Sequence, residues 1–173
     1  MKISYVKIIS FSAILFILIV FFISLNRNTI YDTRKLVGQK LNKFEMNSLL
    51  DESLVNSEII TTSEYTLINF FASWCYPCRK EHEFLVKLGK ESNKLNIVGV
   101  NFKDKKSDAL KFLKNYKNPY SSVAQDKDGK ASISFGIYGI PESILVNKEF
   151  IIIKKYLGPL NNEYYKEILE LTN

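Results

Sequence analysis

Hydrophobic positions divide the chain into one continuous apolar run and a longer region where apolar and polar segments alternate. Residues 8–25, IISFSAILFILIVFFISL, carry no charge over 18 positions, which is long enough for a membrane-spanning helix. Two lysines precede the run, as in a cleavable signal peptide. However, the following SLNRNTIYDT has no small-x-small cleavage site, and the run is longer than an ordinary signal-peptide core. The pattern favours an uncleaved signal anchor.

This anchor divides the chain into four segments. We expect a cytoplasmic tail at residues 1–7, a transmembrane signal anchor at 8–25, a polar linker at 26–36 and one domain at 37–173. Basic residues flank the anchor on both sides, so the positive-inside rule does not decide its orientation. A very short tail ahead of a first helix usually stays in the cytoplasm. The domain would then lie outside the cytoplasm.

Beyond the linker, short apolar runs predict the strands of one domain. Runs rich in β-branched and aromatic residues predict buried strands at 66–72, 97–101 and 121–124. Two further runs, SILVN and IIIKKY, predict an antiparallel hairpin near the C-terminus. Residues 37–64 mix apolar pieces with turn residues and predict one or two short strands.

Helical spacing predicts three helices between and after these strands. The first starts near Tyr76 and buries Cys78, Leu85 and Leu88, the second follows an N-cap at Ser107, and the last is amphipathic around Ile168. Strand, helix, strand, helix, hairpin and helix is an α/β order. The crossovers predict parallel pairing in the early strands, and the hairpin adds antiparallel ones to give a mixed sheet flanked by helices.

Charge and cysteine content narrow the classes of function. The net charge is +6, or +4 without the two lysines of the N-terminal segment. Such a mildly basic surface suits a domain tethered above an anionic membrane. Basic and aromatic residues do not alternate as they do in a nucleic-acid-binding groove, so the sequence does not indicate a nucleic-acid partner. Two cysteines exclude a disulfide-dense secreted scaffold, so the core must stabilise the domain.

Both cysteines lie in FFASWCYPCRKEHEFL, and three static roles compete for them. A closed zinc site needs four ligands, whereas Cys75, Cys78 and His82 supply three unless a carboxylate such as Glu81 joins them. Covalent haem attachment needs histidine directly after the second cysteine, where Arg79 stands. A structural disulfide closing so short a loop would contribute only about 2 kcal/mol. We therefore expect no metal and no bound cofactor.

The expected strand-to-helix junction supports a redox role for the two cysteines. Cys75 lies at the predicted helix N-terminus, where free N–H groups and the helix dipole stabilise a thiolate, so it is the candidate nucleophile. Cys78, one turn further and on the apolar stripe, is the candidate resolving cysteine. Pro77 fits the first helical turn, where its missing N–H costs nothing. Trp74 either packs or shields the sulfur from water.

At this point ASWCYPCRKEH, GIYGIPESILVNKE and VGVNFKDKKSDALKFLKNYKNPY together resemble the CcmG/DsbE group of membrane-anchored thiol:disulfide interchange proteins in the thioredoxin superfamily. The resemblance implies a thioredoxin-like α/β fold and a protein-disulfide reductase on the periplasmic side of the inner membrane. Its electron donor would be a membrane thiol transporter of the DsbD/CcdA type. Its acceptor would be apocytochrome c or another cytochrome c maturation protein, and we expect the chain to be a monomer.

The resemblance also assigns residues outside the cysteine motif. It implies that Pro141 is cis and lies against the active-site disulfide, and that Ile140 offers backbone groups to an extended substrate. We expect Glu81 and Glu142 to face each other across the groove and to act on the thiol proton. Surface glutamates without such a role are the alternative. The residues expected to contact substrate are Trp74, Tyr76, Pro77, Tyr138 and Ile140.

Two positions depart from the usual pattern, and other functions remain open. Tyr76 replaces the small residue or proline common after the first cysteine, which leaves the redox potential open, whereas Ser143 in place of threonine should be harmless. Competing functions are an anchored reductase for another envelope pathway, an oxidase that introduces disulfides, and a binding module with a static disulfide.

Overall fold

The computed structural model describes residues 5–26, 36–60 and 62–173. The chain divides into two compact units, residues 1–32 and residues 33–173. The expected tail at residues 1–7 and linker at 26–36 fall mostly outside the described residues, so their structure is not assigned.

The described part of the first unit is a single helix. α1 spans Tyr5–Leu25 and is apolar on all sides. Lys7–Leu25 is long and apolar enough to cross a membrane, judged by length and composition. The predicted apolar helix is therefore present, and it begins three residues before the predicted start at Ile8.

The second unit begins with a small antiparallel hairpin. β1 (Glu45–Asn47) pairs with β2 (Leu54–Asn56), and a short helix α2 (Ser57–Ile60) follows. Val55 and Met46 bury their side chains, whereas their strand neighbours remain more exposed. The expected short strands between residues 37 and 64 are confirmed.

A five-stranded mixed sheet forms the centre of this unit, in the order β5-β4-β3-β6-β7. Its strands are β3 (Tyr65–Phe71), β4 (Leu95–Phe102), β5 (Ser122–Asp126), β6 (Glu142–Asn147) and β7 (Ile152–Leu157). β3, β4 and β5 run parallel, whereas β6 and β7 run antiparallel to their neighbours. The predicted mixed sheet and C-terminal hairpin are confirmed.

Four helices accompany the sheet: α3 (Tyr76–Glu91), α4 (Lys106–Tyr116), α5 (Lys130–Ser134) and α6 (Asn162–Thr172). The prediction that Ser107 caps α4 is wrong. The amides of Asp108 and Ala109 both donate to the Lys105 carbonyl at 3.0 Å, so the helix already starts there and Ser107 lies in its first turn.

The sequence reading missed α5 because its start depends on a residue outside the helix. Asp126, at the end of β5, accepts the Ser132 amide at 2.8 Å and the Ser132 hydroxyl at 2.7 Å. Gly129 adopts a left-handed φ of 75° before the helix, which glycine permits without steric cost. The turn at Asp128 and Gly129 therefore leads into a short helix.

The two faces of the sheet bury two separate cores. On one face Leu67 and Phe71 pack with α3 and α6, and this core includes both cysteines. On the other face Ile68 and Phe70 pack with Phe135. β3 is thus buried on both sides, which explains its continuous apolar sequence. It delivers the chain from the middle of the sheet directly to the cysteine motif.

Candidate active site

Cys75 and Cys78 form a disulfide at the start of α3, with an S–S distance of 2.00 Å. Cys75 is the N-cap residue, and its Sγ accepts the Cys78 amide at 3.2 Å. Pro77 occupies the first turn, as the sequence indicated. In the reduced state the same N–H and the helix dipole would stabilise a Cys75 thiolate.

Both cysteines are more buried than a surface thiol would be. Cys75 is 4% exposed and Cys78 is 1% exposed. In this disulfide form both cysteines belong to the core that α3 covers.

Asp104 fixes the loop that precedes Cys75. Its carboxylate accepts the Ser73 amide at 2.6 Å, the Ser73 hydroxyl at 2.8 Å and the Asn101 side-chain amide at 3.0 Å. The Trp74 indole N–H donates to the Lys103 carbonyl at 3.2 Å. The sequence analysis did not find Asp104, although an aspartate directly after a buried parallel strand was a usable signal.

The residues expected to contact substrate lie around the start of α3 and on the loop before β6, at one end of the sheet. Trp74, Tyr76 and Pro77 are exposed around the start of α3. Tyr138 is exposed, and Ile140 is half-buried against the core that contains the cysteines. β6 begins opposite Phe70, near the end of β3, so the loop before it ends on the same side of the sheet as the cysteine motif.

Pro141 has the expected backbone form. The Ile140–Pro141 peptide bond is cis, and Pro141 is buried immediately before β6. The resemblance implied a cis proline at this residue, and that expectation is confirmed.

Glu81 lies one turn beyond Cys78 and is fully buried. Its Oε1 accepts the Asn69 side-chain amide at 2.8 Å, and its Oε2 accepts the Leu160 backbone amide at 2.8 Å. Burial raises the pKa of Glu81 to about 7, and the two donors only partly oppose that rise. A carboxyl group that titrates near neutral pH can both release and accept a proton under physiological conditions.

A buried polar network that the sequence analysis missed holds this carboxyl group. The Tyr120 hydroxyl donates to Asn69 Oδ1 at 2.7 Å, and Asn69 Nδ2 donates to Ser143 Oγ at 3.0 Å as well as to Glu81. The two contacts fix which end of the Asn69 amide faces Glu81. Burial, and secondarily the Glu81 charge, raise the Tyr120 pKa well above its usual value, which keeps its hydroxyl a donor. A lone asparagine inside an apolar strand was the available signal.

Glu142 does not lie across a groove from Glu81, so that expectation is wrong. Glu142 pairs in register with Phe70 and shares its face of the sheet, whereas Asn69 and Ser143 face Glu81. Neighbouring residues of a strand point to opposite faces, and Ser143 takes the Glu81 side.

Instead, Glu142 forms a buried ion pair and holds the loop before Pro141. Its Oε2 lies 2.9 Å from Lys155 Nζ, and the two side chains are 7% and 2% exposed. Its Oε1 accepts the backbone amides of Tyr138 at 3.2 Å and Gly139 at 3.0 Å. The Lys155 ammonium also donates to the Gly136 carbonyl at 2.5 Å. These contacts order the segment that carries Tyr138 and Ile140.

His82 is a buried core residue on the side of α3 that faces α4. Its ring packs edge-on against Phe112 and Tyr120, and its Nε2 lies 2.5 Å from the Lys117 carbonyl oxygen. Burial lowers the His82 pKa, and the Lys117 contact opposes that effect. Within residues 5–26, 36–60 and 62–173, no three metal-ligating side chains group together.

Comparisons with known proteins agree with this geometry. Residues 36–170 match the Redoxin family. The thiol:disulfide interchange protein DsbE of Haemophilus influenzae is 32% identical over 89% of this chain and 87% of its own length. The thiol:disulfide interchange protein CycY of Rhizobium leguminosarum bv. viciae is 50% identical over 59% of this chain, and the matched part spans 54% of that relative.

A solved structure supports the fold assignment. The thioredoxin domain of a thiol-disulfide oxidoreductase from Bacteroides vulgatus superposes with a TM-score of 0.67 at 25% identity, covering 79% of this chain and 98% of that domain. The predicted thioredoxin-like fold is confirmed. With a disulfide at the strand-to-helix junction of this fold, the chain belongs to the Redoxin family, as a thiol:disulfide oxidoreductase of the DsbE type.

Proposed function

We propose that this chain is a membrane-anchored reductant that keeps cysteine pairs reduced for cytochrome c maturation. The observation that carries the proposal is the Cys75–Cys78 disulfide at the N-terminus of α3. The resemblance of its Tyr-Gly-x-Pro-Glu run to the CcmG/DsbE group supports the pathway. Arg79 after the second cysteine fits a supplier of thiols rather than a haem acceptor.

The reaction exchanges one disulfide for another. In the reduced protein, the Cys75 thiolate attacks one sulfur of the substrate disulfide, which breaks that bond and forms a mixed disulfide. Cys78 then loses its proton and attacks Cys75, which releases the second substrate thiolate and forms the Cys75–Cys78 disulfide. Two electrons pass to the substrate, and its two thiolates take up two protons.

Glu81 is the candidate proton acceptor for Cys78. Its pKa of about 7 leaves both protonation states populated at neutral pH. It lies one helical turn after Cys78, and the Asn69 and Leu160 amides hold it in one orientation. Glu81 can therefore accept the Cys78 proton when the mixed disulfide is resolved. We place Glu142 outside this step, as a positioning residue for the loop before Pro141.

The substrate would bind between the start of α3 and the loop before Pro141. Trp74, Tyr76 and Pro77 border Cys75 on one side, and Tyr138 and Ile140 approach from the loop before Pro141. An extended segment can add its backbone hydrogen bonds to such a loop, as in strand addition. This arrangement accepts a flexible polypeptide with an accessible disulfide, such as an apocytochrome before haem attachment.

The N-terminal helix would anchor this domain in the inner membrane. In this proposal residues 1–7 lie in the cytoplasm, 8–25 span the bilayer, 26–36 form a linker and 37–173 form the periplasmic domain. The length and composition of α1 support the span. A membrane dithiol transporter would then supply two electrons to reduce the Cys75–Cys78 disulfide after each turnover.

The test is the reduction potential of the cysteine pair in the full chain in detergent micelles. The protein is equilibrated in thiol buffers, and free thiols are trapped by alkylation. A value below roughly −200 mV supports a reductant, whereas a value near about −120 mV indicates an oxidase. A pair that does not equilibrate in the native state would make the disulfide structural and overturn the proposal.

The pathway needs a second test with a defined acceptor. The reduced full chain should reduce an oxidised Cys-x-x-Cys-His peptide, and Cys75→Ser should abolish that reduction because no nucleophile remains. Cys78→Ser should instead accumulate the mixed disulfide. Equal reduction by wild type and Cys75→Ser would contradict the mechanism.

A further inference from the structure

A pocket of about 380 Å³ opens beside Trp74, between the start of α3 and the exposed side of α4. Trp74 and Arg79 line it on the α3 side, and Asp108, Lys111 and Tyr116 line it on the α4 side. Trp74 directly precedes Cys75, and Arg79 directly follows Cys78. A polypeptide that presents a disulfide to Cys75 therefore passes this pocket.

The α3 side of the pocket is held in place. Asp104 fixes Ser73 through its amide and hydroxyl, and Trp74 donates to the Lys103 carbonyl. The Arg79 guanidinium donates to the Ser73 carbonyl at 3.0 Å. Among the described residues, Arg79 forms no ion pair with a carboxylate. The remaining Arg79 donors are available to a ligand.

The charge around the pocket is positive. Lys111 lies 3.9 Å from Asp108, and these side chains are 76% and 47% exposed, so water weakens their interaction. Arg79 adds a second cation. The side chains that line the pocket therefore carry two cations against one carboxylate. An anionic group would be attracted to this site, and guanidinium matches a carboxylate in two parallel hydrogen bonds.

The pocket also has an apolar part. Trp74, Phe112 and Tyr116 contribute aromatic surface next to the two cations. An aliphatic stem ending in a carboxylate would satisfy both parts, which fits a glutamate side chain better than a small inorganic anion. We propose that this pocket binds an acidic side chain of the polypeptide whose disulfide is exchanged at Cys75, and thereby selects acidic partners.

This inference rests on the proposed reductase function and deepens it. The test uses the reduced full chain in neutral-lipid nanodiscs and two oxidised peptides that differ only in having Glu or Gln on both sides of the disulfide. Trp74 is the single tryptophan, so its fluorescence follows formation of the adjacent disulfide in stopped flow. We expect the Glu peptide to react roughly fivefold faster at low salt, with the advantage shrinking as salt rises.

Variants identify the pocket as the source of the preference. Arg79→Gln and Lys111→Gln should each remove most of it, whereas Arg79→Lys should keep part because the charge stays. Asp108→Asn should increase the preference because the competing carboxylate is lost. Lys148→Gln is the matched control: Lys148 is exposed, also has a carboxylate partner at 3.9 Å, and lies in the turn between β6 and β7 beside the start of β3. It should leave the preference unchanged.

The outcomes separate this inference from the function on which it rests. Equal rates for the two peptides would overturn the pocket and leave the reductase intact. A loss of preference in Lys148→Gln as large as in Lys111→Gln would also overturn it, since only net charge would matter. Loss of the preference in nanodiscs of anionic lipid would assign the surface to the membrane instead.

Binding can be measured without turnover. A Cys75→Ser, Cys78→Ser double variant should bind the Glu peptide more tightly than the Gln peptide by a similar factor. If neither peptide is reduced by the wild type but this difference in binding remains, the reductase function fails and the pocket stands. If the double variant shows no difference, the pocket is overturned.

Discussion

Glu81 and Glu142 are two buried carboxylates near the same end of the sheet, one on each of its faces. Among the described residues, the donors to Glu81 are neutral: the Asn69 amide and the Leu160 backbone. Glu142 lies 2.9 Å from the buried Lys155 ammonium. The same side chain at similar burial therefore has two different environments, one without a compensating charge and one with it.

This difference in environment suits Glu81 to proton transfer and Glu142 to holding a loop in position. Without a cation, burial raises the pKa of Glu81 to about 7, so this group can exchange a proton at neutral pH. With a cation in contact, Glu142 forms an ion pair, and its other oxygen holds the amides before Pro141. We infer that the presence of a charged partner, rather than burial, decides which glutamate takes part in thiol exchange.

The largest expected effect is on stability when the ion pair is broken. Glu142→Gln leaves the Lys155 ammonium buried without a carboxylate, which should lower the free energy of unfolding by about 3 to 5 kcal/mol. Glu81→Gln is the matched control: it leaves no charged partner behind, and at neutral pH it removes the cost of ionising a buried carboxyl group, so it should not lower the free energy of unfolding. Denaturant unfolding of the full chain in micelles measures both.

A double variant sharpens this first prediction. Glu142→Leu with Lys155→Met removes both charges, so most of the lost stability should return. Equal losses of stability in Glu142→Gln and Glu81→Gln would mean that the Glu142–Lys155 ion pair contributes no more than a neutral hydrogen bond. The proposed difference between the two glutamates would then be wrong.

The second effect is the pH dependence that Glu81 gives to folding. Its pKa rises from 4.5 when unfolded to about 7 when folded, so the folded state binds more protons between these values. The stabilisation is complete below about pH 4.5 and is lost as the pH rises through about 7, by up to about 3 kcal/mol. The difference between wild type and Glu81→Gln should follow this course. A difference independent of pH would contradict it, and the exposed Glu83→Gln is the control.

A third, smaller effect should follow from removing one hydroxyl group of the network. Tyr120→Phe leaves Asn69 Oδ1 without its donor, which should cost about 1 to 2 kcal/mol. The freed amide holds the ionised Glu81 less well, so the pKa of Glu81 should rise further, and carboxyl chemical shifts in an NMR titration would report it. Tyr65→Phe, at the other end of β3, should leave the titration unchanged. An unchanged titration in Tyr120→Phe would show that the Tyr120 hydroxyl does not influence the pKa of Glu81 through Asn69.

Local patterns in the sequence were sufficient for much of this fold. The apolar run of β3 and the stripe of Cys78, Leu85 and Leu88 predicted a strand-to-helix junction, and Cys75 lies at that junction because only nearby residues determine it. Local patterns did not predict which face of the sheet Glu142 lies on. It depends on the pairing of β6 with β3, and those partners are more than seventy residues apart.

The Glu81 network shows the same limit. Tyr120 and Asn69 are 51 residues apart, and Ser143 is 74 residues from Asn69. No helical or strand period links such positions, so the sequence could suggest Glu81 but not the groups that set its pKa. The packing of α3, β6 and the segment before β5 around one asparagine of β3 brings them together.

The smallest expected effect comes from Ser143, which accepts a hydrogen bond from Asn69. The sequence analysis expected serine and threonine to be equivalent at this position. Ser143→Ala removes the acceptor of one Asn69 N–H bond and should cost about 1 kcal/mol. The Asn69 amide then loses one of its three fixed contacts, so the titration midpoint of Glu81 should move slightly, in the direction seen for Tyr120→Phe. Ser143→Thr keeps the hydroxyl acceptor and should keep the midpoint, even though its added methyl group must fit a fully buried site. If alanine and threonine shift the midpoint equally, packing at this position controls Glu81, and the hydrogen bond does not.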